Sequence, residues 1–335
     1  MDTRKVQKTG GASYSITLPK DWVESRGVKK NDRLELYAQP DGTLLVTTIS
    51  VKRQLQPTKE FDVDSINEPL FLFRLLVGAY IAGYTTIKLK SKRRMPPFVR
   101  TVVRDFTRRT ISQEVIEETD TSIVIKDLLN PVELPFDNTL KRMHNIVRGM
   151  HEDAIRALET GNLRTAEEVI SRDNDVNRLN WLVEHQYNLI LGDISLPEKM
   201  GVTVRMATDY FLMSRIMERI GDHAVRIAKN IQNVTGKDVD RKIISNIKSA
   251  SGLSLNIFSN SIKSFFEKDA KASNTNIEAV KELESLCEKI NTQALKQSGE
   301  VAVSIGYIAE SIRRVGEYSS NISENVIDHI VAEKG

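Results

Sequence analysis

Only one cysteine, Cys287, is present among 335 residues. No internal disulfide is available, and its place in the apolar-periodic run "ELESLCEKI" predicts a buried thiol in a reducing, cytoplasmic setting. Aromatic residues are scarce at 6%, which disfavours a large β-sandwich and favours helices packed through Leu, Ile and Val. Long apolar runs are missing too. The greasiest stretch, "LFLFRLLVGAYIAGY" at 70–84, is broken by Arg74 and falls short of the roughly 20 residues a membrane span needs. The opening "MDTRKVQKTGG" lacks the apolar region of a secretory signal, so neither a leader nor a transmembrane segment is expected. Signatures of catalysis are also absent: there is no GxGxxG, no P-loop and no Ser-His-Asp order. His144, His151, His185, His223 and His329 are too dispersed for a zinc site, and the paired Glu-x-x-His motifs of di-metal bundles are lacking. An enzyme is not expected.

Charge is abundant but unevenly placed. The net charge of +3 divides into 21 Lys/Arg against 11 Asp/Glu over residues 1–110 and 27 against 34 over residues 111–335. Between 81 and 110, nine basic residues face the single acid Asp105. A basic front on an acidic rear predicts that the front meets a polyanion while the rear has another task.

Residues 3–48 read as short strands around one helical turn. "SYSITLP" and "RLELYAQ" alternate, "PDG" is a hairpin turn before "TLLVTTI", and "PKDWVESRGV" runs from Pro19 to a C-capping Gly27. About 45 residues with so few apolar side chains make too small a core to stand alone, so dimerisation is expected. The run "S-x-S-I-T-L-P-K-x-W" followed by "G-V-K-x-x-D-x-L" resembles the AbrB/SpoVT/MazE-type swapped-hairpin DNA-binding domain. That resemblance implies interleaved hairpins from two chains and basic side chains from both on double-stranded DNA. Arg4, Lys5, Lys8, Lys20, Arg26, Lys29 and Lys30 are the positions that would serve, with Arg4, Lys5 and Lys8 assigned to the first strand region. The alternative is a module that only dimerises the chain.

Residues 51–135 read as an α/β bridging region. A helix at 70–84, the strand "TTIKLK", the proline-opened helix "PPFVRTVVRDFTRRT" and the strands "ISQEVIEE" and "TSIVIKDLL" follow in a βαββ-like order. Arg100, Arg104 and Arg108 recur on one face of the second helix and are candidates to extend a DNA-contacting surface. The two prolines of "NPVELP" mark a boundary at 130–135. From 136 onward the chain predicts six helices, broken at 160–162, 191–201, 233–239, 268–273 and around 297–299.

This rear repeats itself. "ERIGDHAVRIAKNI" (218–231) aligns with "RRVGEYSSNISENV" (313–326), which predicts two three-helix repeats over 138–234 and 239–334. Within "RIMERIGDHAVRIAKNI", Glu218 and Asp222 stand one turn apart on nearly the same face, about 6 Å along the axis. Like charges so placed repel. They are either solvated or paired with Arg215, Arg219 or Arg226, or they share a cation.

The stretches "VISRDNDVNRLNWLVEHQY", "VTVRMATDYFLMSRIMERIGDHAVRIAKNI" and the echo at 313–326 resemble the PhoU family of phosphate-uptake regulators. With the front module, the whole chain resembles an archaeal-type PhoU protein with an AbrB-like amino-terminal domain. The resemblance implies carboxylates gathered on a bundle face to bind metal ions. Asp173 and Asn177, four apart on the preceding helix, would face Glu218 and Asp222. Such an oxygen-rich set suits a divalent or trivalent ion (Fe, Mn, Mg or Zn). In the second repeat Arg313 replaces Glu218 and Glu317 replaces Asp222, so no metal is expected there and Arg313 serves as an internal counter-ion. Glu278 and Glu282 have the spacing of the missing pair. The expected function is phosphate-responsive transcriptional regulation by a DNA-binding homodimer. The alternative is an accessory protein that contacts a phosphate transporter or a sensor kinase.

Overall fold

A computed structural model of the chain describes residues 3–38, 42–48 and 57–333. The contacts divide it into two units, Met1–Pro57 and Thr58–Gly335.

The first unit consists of two separate antiparallel hairpins and one short helix. Strands β1 (Gln7–Thr9) and β2 (Ser13–Ser15) pair across a turn that holds Gly10 at φ 67°. Helix α1 (Lys20–Ser25) starts after Pro19 and is closed by Gly27 at φ 65°. Strands β3 (Leu34–Ala38) and β4 (Leu44–Thr48) form the second hairpin, with Leu36 opposite Val46. Of the expected "PDG" turn, only Gly42 is among the described residues. None of the described residues of this unit is buried, and Val6, Tyr14, Ile16, Leu36 and Leu44 are all more than half exposed. Two-stranded hairpins without a covered apolar face are marginal in water.

The second unit begins with a four-stranded sheet in the order β5-β6-β8-β7. β5 (Thr58–Asp62) lies parallel to β6 (Thr86–Lys90), and helix α2 (Pro69–Ile81) makes the crossover. Helix α3 (Pro97–Arg109) leads to β7 (Gln113–Glu118), which returns through β8 (Ser122–Asp127) to pair with β6. Leu72, Leu76, Tyr80, Val99, Val103 and Phe106 from the helices meet Ile87, Leu89, Ile123 and Ile125 from the sheet in one core. The strand β5 was not expected from "TKEFD". Its one large apolar residue, Phe61, gives no alternation, and an edge strand needs none.

Six long helices follow, with a five-residue turn of helix inside the second connection between them. They are α4 (Phe136–Thr160), α5 (Leu163–Gly192), the short α6 (Leu196–Met200), α7 (Val204–Ile231), α8 (Arg241–Glu267), α9 (Ala270–Ala294) and α10 (Gly299–Glu333). The breaks are capping motifs. Asn162, Thr203, Asp240 and Asp269 each accept a hydrogen bond from the first turn of the helix they open, and Gly161 closes α4 at φ 66°. Helices α4, α5 and α7 form one three-helix repeat and α8, α9 and α10 the other. Their apolar faces merge into a single core, in which Cys287 is buried and its thiol pushed up to about 12 by that burial.

The repeat is packed asymmetrically at its two equivalent glycines. A Cβ on Gly221 would lie 3.4 Å from Val176 Cγ1, an ordinary contact, whereas a Cβ on Gly316 would lie 2.2 Å from Leu283 Cδ2. Leu283 is wholly buried and has to change rotamer inside a packed core to make room. Gly316→Ala is therefore expected to lower stability by about 1–3 kcal/mol. Gly221→Ala is expected to be neutral or to gain up to about 1 kcal/mol from helix propensity. Urea unfolding of the two variants checks this; equal effects would contradict it.

The same contacts fix the register between repeats. Val176 of α5 covers Gly221, and Leu283 of α9 covers Gly316. Counted from these anchors, the counterparts of Asp173 and Asn177 are Val280 and Glu284, not Glu278 and Glu282. Val280 is buried, while Glu278 pairs with Lys281 at 2.5 Å on the surface.

Candidate functional site

The helix face singled out by its carboxylates is held by packing on both sides. Val147 of α4 and Val176 of α5 close on Gly221, which brings α5 against α7 at the level of Glu218 and Asp222. On α5, Asp173 lies one turn before that contact at Val176 and Asn177 directly after it. Asn177 donates its side-chain N–H to Asp173 Oδ2 at 2.8 Å. The second oxygen of Asp173, Oδ1, is buried without a hydrogen-bond partner. Glu218 and Asp222 have no ion pair or hydrogen bond among the described residues. The nearby arginines are engaged elsewhere: Arg215 pairs with Glu184 at 2.9 Å, Arg219 stacks over Tyr318, and Arg226 over Tyr307.

Electrostatics records the crowding. Burial, followed by the charge of Asp222, pushes Glu218 up to about 7. Burial and Asp222 raise Asp173, and burial raises Asp222. Donor chemistry therefore fits a hard cation: three coupled carboxylates, one with an orphaned oxygen. Among the described residues, however, no group of three or more His, Cys, Asp or Glu side chains stands close enough together to hold a metal ion. His223 turns away toward Tyr318 of the second repeat, and burial pushes its imidazole down to about 4.

A stability test follows from the raised Glu218. The folded chain keeps a proton on Glu218 up to about pH 7, whereas an ordinary glutamate releases it near 4.5. Stability is thus expected to fall as pH rises through that window, with the loss complete above it. After allowance for solvent screening at this half-exposed side chain, the loss is about 1–2 kcal/mol. Urea unfolding at pH 5 and pH 8 measures it, and Glu218→Gln should remove the difference. An identical pH profile in that variant would contradict the assignment.

The second repeat has a different solution at the matching place. Arg313 pairs with Glu317, and its other edge grips Glu310 through Nε at 2.9 Å and Nη2 at 2.8 Å. Arg314 joins the same two acids at 2.9 and 3.0 Å. Two arginines and two glutamates neutralise each other, so the counter-ion is built into the chain.

In the first unit, Arg4, Lys5, Lys8, Lys20, Arg26, Lys29 and Lys30 are all exposed. Only Lys8 lies within β1; Arg4 and Lys5 precede it. Lys20 is 3.7 Å from Glu24, a weak surface pair. In the second unit the arginine row of α3 does not form one free stripe. Arg100 Nε is 2.5 Å from Glu118 and its Nη2 bonds the carbonyl of Thr119, and Arg104 bonds the carbonyl of Arg100. Arg108 alone of the three has no partner among the described residues.

One buried constellation had no sequence signal. His185 of α5 is wholly buried, with Nδ1 2.5 Å from the carbonyl of Tyr80 and Nε2 2.6 Å from Asp127 Oδ2. The ring of Tyr80 stacks on it at 4.3 Å. This group fastens α2 and β8 to the first helical repeat. Its members lie 58 and 105 residues from His185 in the chain, so no local spacing reveals them.

Comparison with known proteins agrees with this division. The PhoU domain family matches residues 140–231 and 247–326, just over half of the chain. The family described as antidote-toxin recognition MazE, bacterial antitoxin, matches residues 7–54. The phosphate-specific transport system accessory protein PhoU homolog 1 of Thermotoga maritima is 25% identical over 194 residues, 56% of this chain and 82% of that one. Its counterpart in Clostridium acetobutylicum is 22% identical over 202 residues, 56% of this chain and 87% of that one. The crystal structure of the phosphate transport system regulatory protein PhoU from Streptococcus pneumoniae superposes with a TM-score of 0.49 at 18% identity, over 57% of this chain and 91% of that one. The chain belongs to the PhoU family and carries an amino-terminal swapped-hairpin domain of the MazE type.

Proposed function

We propose that the protein is a phosphate-responsive transcriptional regulator that grips duplex DNA as a homodimer through its first unit. The observation that carries this reading is a hairpin unit without a single buried residue among those described, yet with Val6, Tyr14, Ile16, Leu36 and Leu44 exposed. Interleaving with a second copy gives those side chains a core. It also brings two sets of exposed Arg4, Lys5, Lys8, Lys20, Arg26, Lys29 and Lys30 to one DNA-facing assembly. Lysine and arginine contacts to phosphates supply affinity and position, and base-edge contacts supply sequence choice.

The helical repeats report phosphate status in this reading. Asp173, Glu218 and Asp222 are the residues that would hold a hard cation there, with Asn177 orienting Asp173. A bound ion supplies the positive charge that these carboxylates lack. A second reading, an accessory role at a phosphate transporter or sensor kinase, is favoured by the relatives, which are phosphate-specific transport system accessory proteins. No helix of the described residues is long and apolar enough to cross a membrane, so contact with a transporter would be peripheral.

Genome-wide footprinting of the protein in cells grown at high and low phosphate tests the proposal. Occupancy at promoters of phosphate-transport genes that changes with phosphate is expected. Co-purification with a transporter and no footprint at any promoter would favour the accessory reading.

A further inference from the structure

A cleft of about 360 Å³ lies where the α/β layer, the segment before α4 and the first helical repeat meet. Two arginines from different helices line it. Arg142 of α4 is exposed and has no ion pair or hydrogen bond among the described residues. Arg178 of α5 spends only Nε, on the carbonyl of Thr110 at 3.2 Å, which leaves the other nitrogens of its fork for a ligand. Asn138, in the first turn of α4, also lines the cleft, and Pro135 ahead of it supplies no side-chain cap. The uncapped amides there add partial positive charge to that of the guanidiniums. Two guanidiniums that line one cleft, one unpaired among the described residues and one with its Nη groups unspent, can donate to a planar or tetrahedral oxyanion.

The rest of the lining defines what the anion is attached to. Leu134 and Leu182 give the cleft an apolar wall, and its volume lies within the range of about 300–1,000 Å³ typical of small-molecule sites. A bare inorganic anion leaves that wall unused. Asp175 is the only acid in the lining and bonds neither arginine, so it is free to accept from a hydroxyl of the ligand. We propose that this cleft binds a small organic oxyanion, a phosphate monoester or a carboxylate on a hydroxylated carbon chain. Because Arg178 ties α5 to Thr110, the ligand would span the contact between the α/β layer and the first repeat. The inference is independent of whether the first unit binds DNA.

Isothermal titration of the full chain with glycerol 3-phosphate, malate, inorganic phosphate and glycerol tests it. The first two separate the phosphate and carboxylate classes, and glycerol is the uncharged control. Saturable binding of at least one organic anion is expected, weakened at least about tenfold by Arg142→Gln and further by Arg142→Glu. Arg142 is exposed and unpaired, so both variants should unfold at the wild-type temperature; Arg178→Gln, which also loses the bond to Thr110, is the less clean probe. Three results would overturn the proposal: no saturable binding of either organic anion up to about 10 mM, inorganic phosphate bound as tightly as both, or affinity unchanged in the Arg142 variants.

Discussion

On the proposed reading of the first unit as a DNA-binding dimer, Leu36→Asp is expected to break the dimer into monomers and to abolish duplex binding. Leu36 is 61% exposed on β3, opposite Val46, in a unit none of whose described residues is buried. Covering a leucine contributes roughly 1.5–3 kcal/mol, and a carboxylate forced into the same place costs several more. A two-fold interface counts the change twice. The sum is at least about 5 kcal/mol, or close to four orders of magnitude in the dimer dissociation constant. Sedimentation velocity at micromolar concentration reads the result. A Leu36→Asp protein that stays dimeric would place the subunit contact outside the first unit. Leu191→Asp is the matching control, because it adds the same charge to an exposed leucine of the second unit.

His185→Ala is expected to cost about 3–5 kcal/mol of folding stability. Both ring nitrogens lie at hydrogen-bond distance from oxygens, 2.5 Å from the carbonyl of Tyr80 and 2.6 Å from Asp127 Oδ2. Removing the ring strands that carboxylate in a site where it is nearly inaccessible to water, and it also removes the stack on Tyr80. Hydrogen exchange should show the damage concentrated in α2 and β8, which His185 fastens to α5. Asp127→Asn in the same background should recover part of the loss, because the stranded charge is then gone. A cost below about 1 kcal/mol for His185→Ala would mean that the pair is not the fastening described.

What could be read in the chain follows the range of the interactions involved. The six long helices were legible because each break carries its own local chemistry: Gly161 with Asn162, Thr203, Asp240, and Asp269 after Lys268. That Asp173 and Asn177 share one face of their helix, and Glu218 and Asp222 one face of theirs, was legible because i, i+4 spacing fixes a helix face. The register between repeats was not. It depends on Leu283 filling the space over Gly316, and spacing alone pointed to the surface residues Glu278 and Glu282. β5 was hidden because an edge strand is specified by its neighbour β6 more than by its own side chains. His185 looked like one of five scattered histidines until the fold brought Asp127 and Tyr80 to it. Arg142 and Arg178 were likewise ordinary charges in the sequence and come to line one cleft only through the packing of α4 on α5.

The second repeat shows how one duplicated helix pair reaches two electrostatic outcomes. In the first, Glu218 and Asp222 have no ion pair among the described residues beside Asp173, and burial raises all three carboxyls. In the second, Arg313 and Arg314 neutralise Glu310 and Glu317 internally. An arginine in the position of Glu218 thus removes both the repulsion and the demand for a counter-ion. The two halves are alike in packing and unlike in charge.

Titrating duplex DNA binding of the full-length protein against salt concentration bears most directly on the regulator reading. Paired hairpin units contacting phosphates predict an affinity that falls steeply with salt, with a slope near −0.9 for each phosphate engaged. Lys5→Gln with Lys8→Gln should make that slope shallower by up to about 4, since each substitution is present twice in the dimer. Failure to bind duplex DNA even at about 50 mM salt, or a slope that these substitutions leave unchanged, would contradict the account.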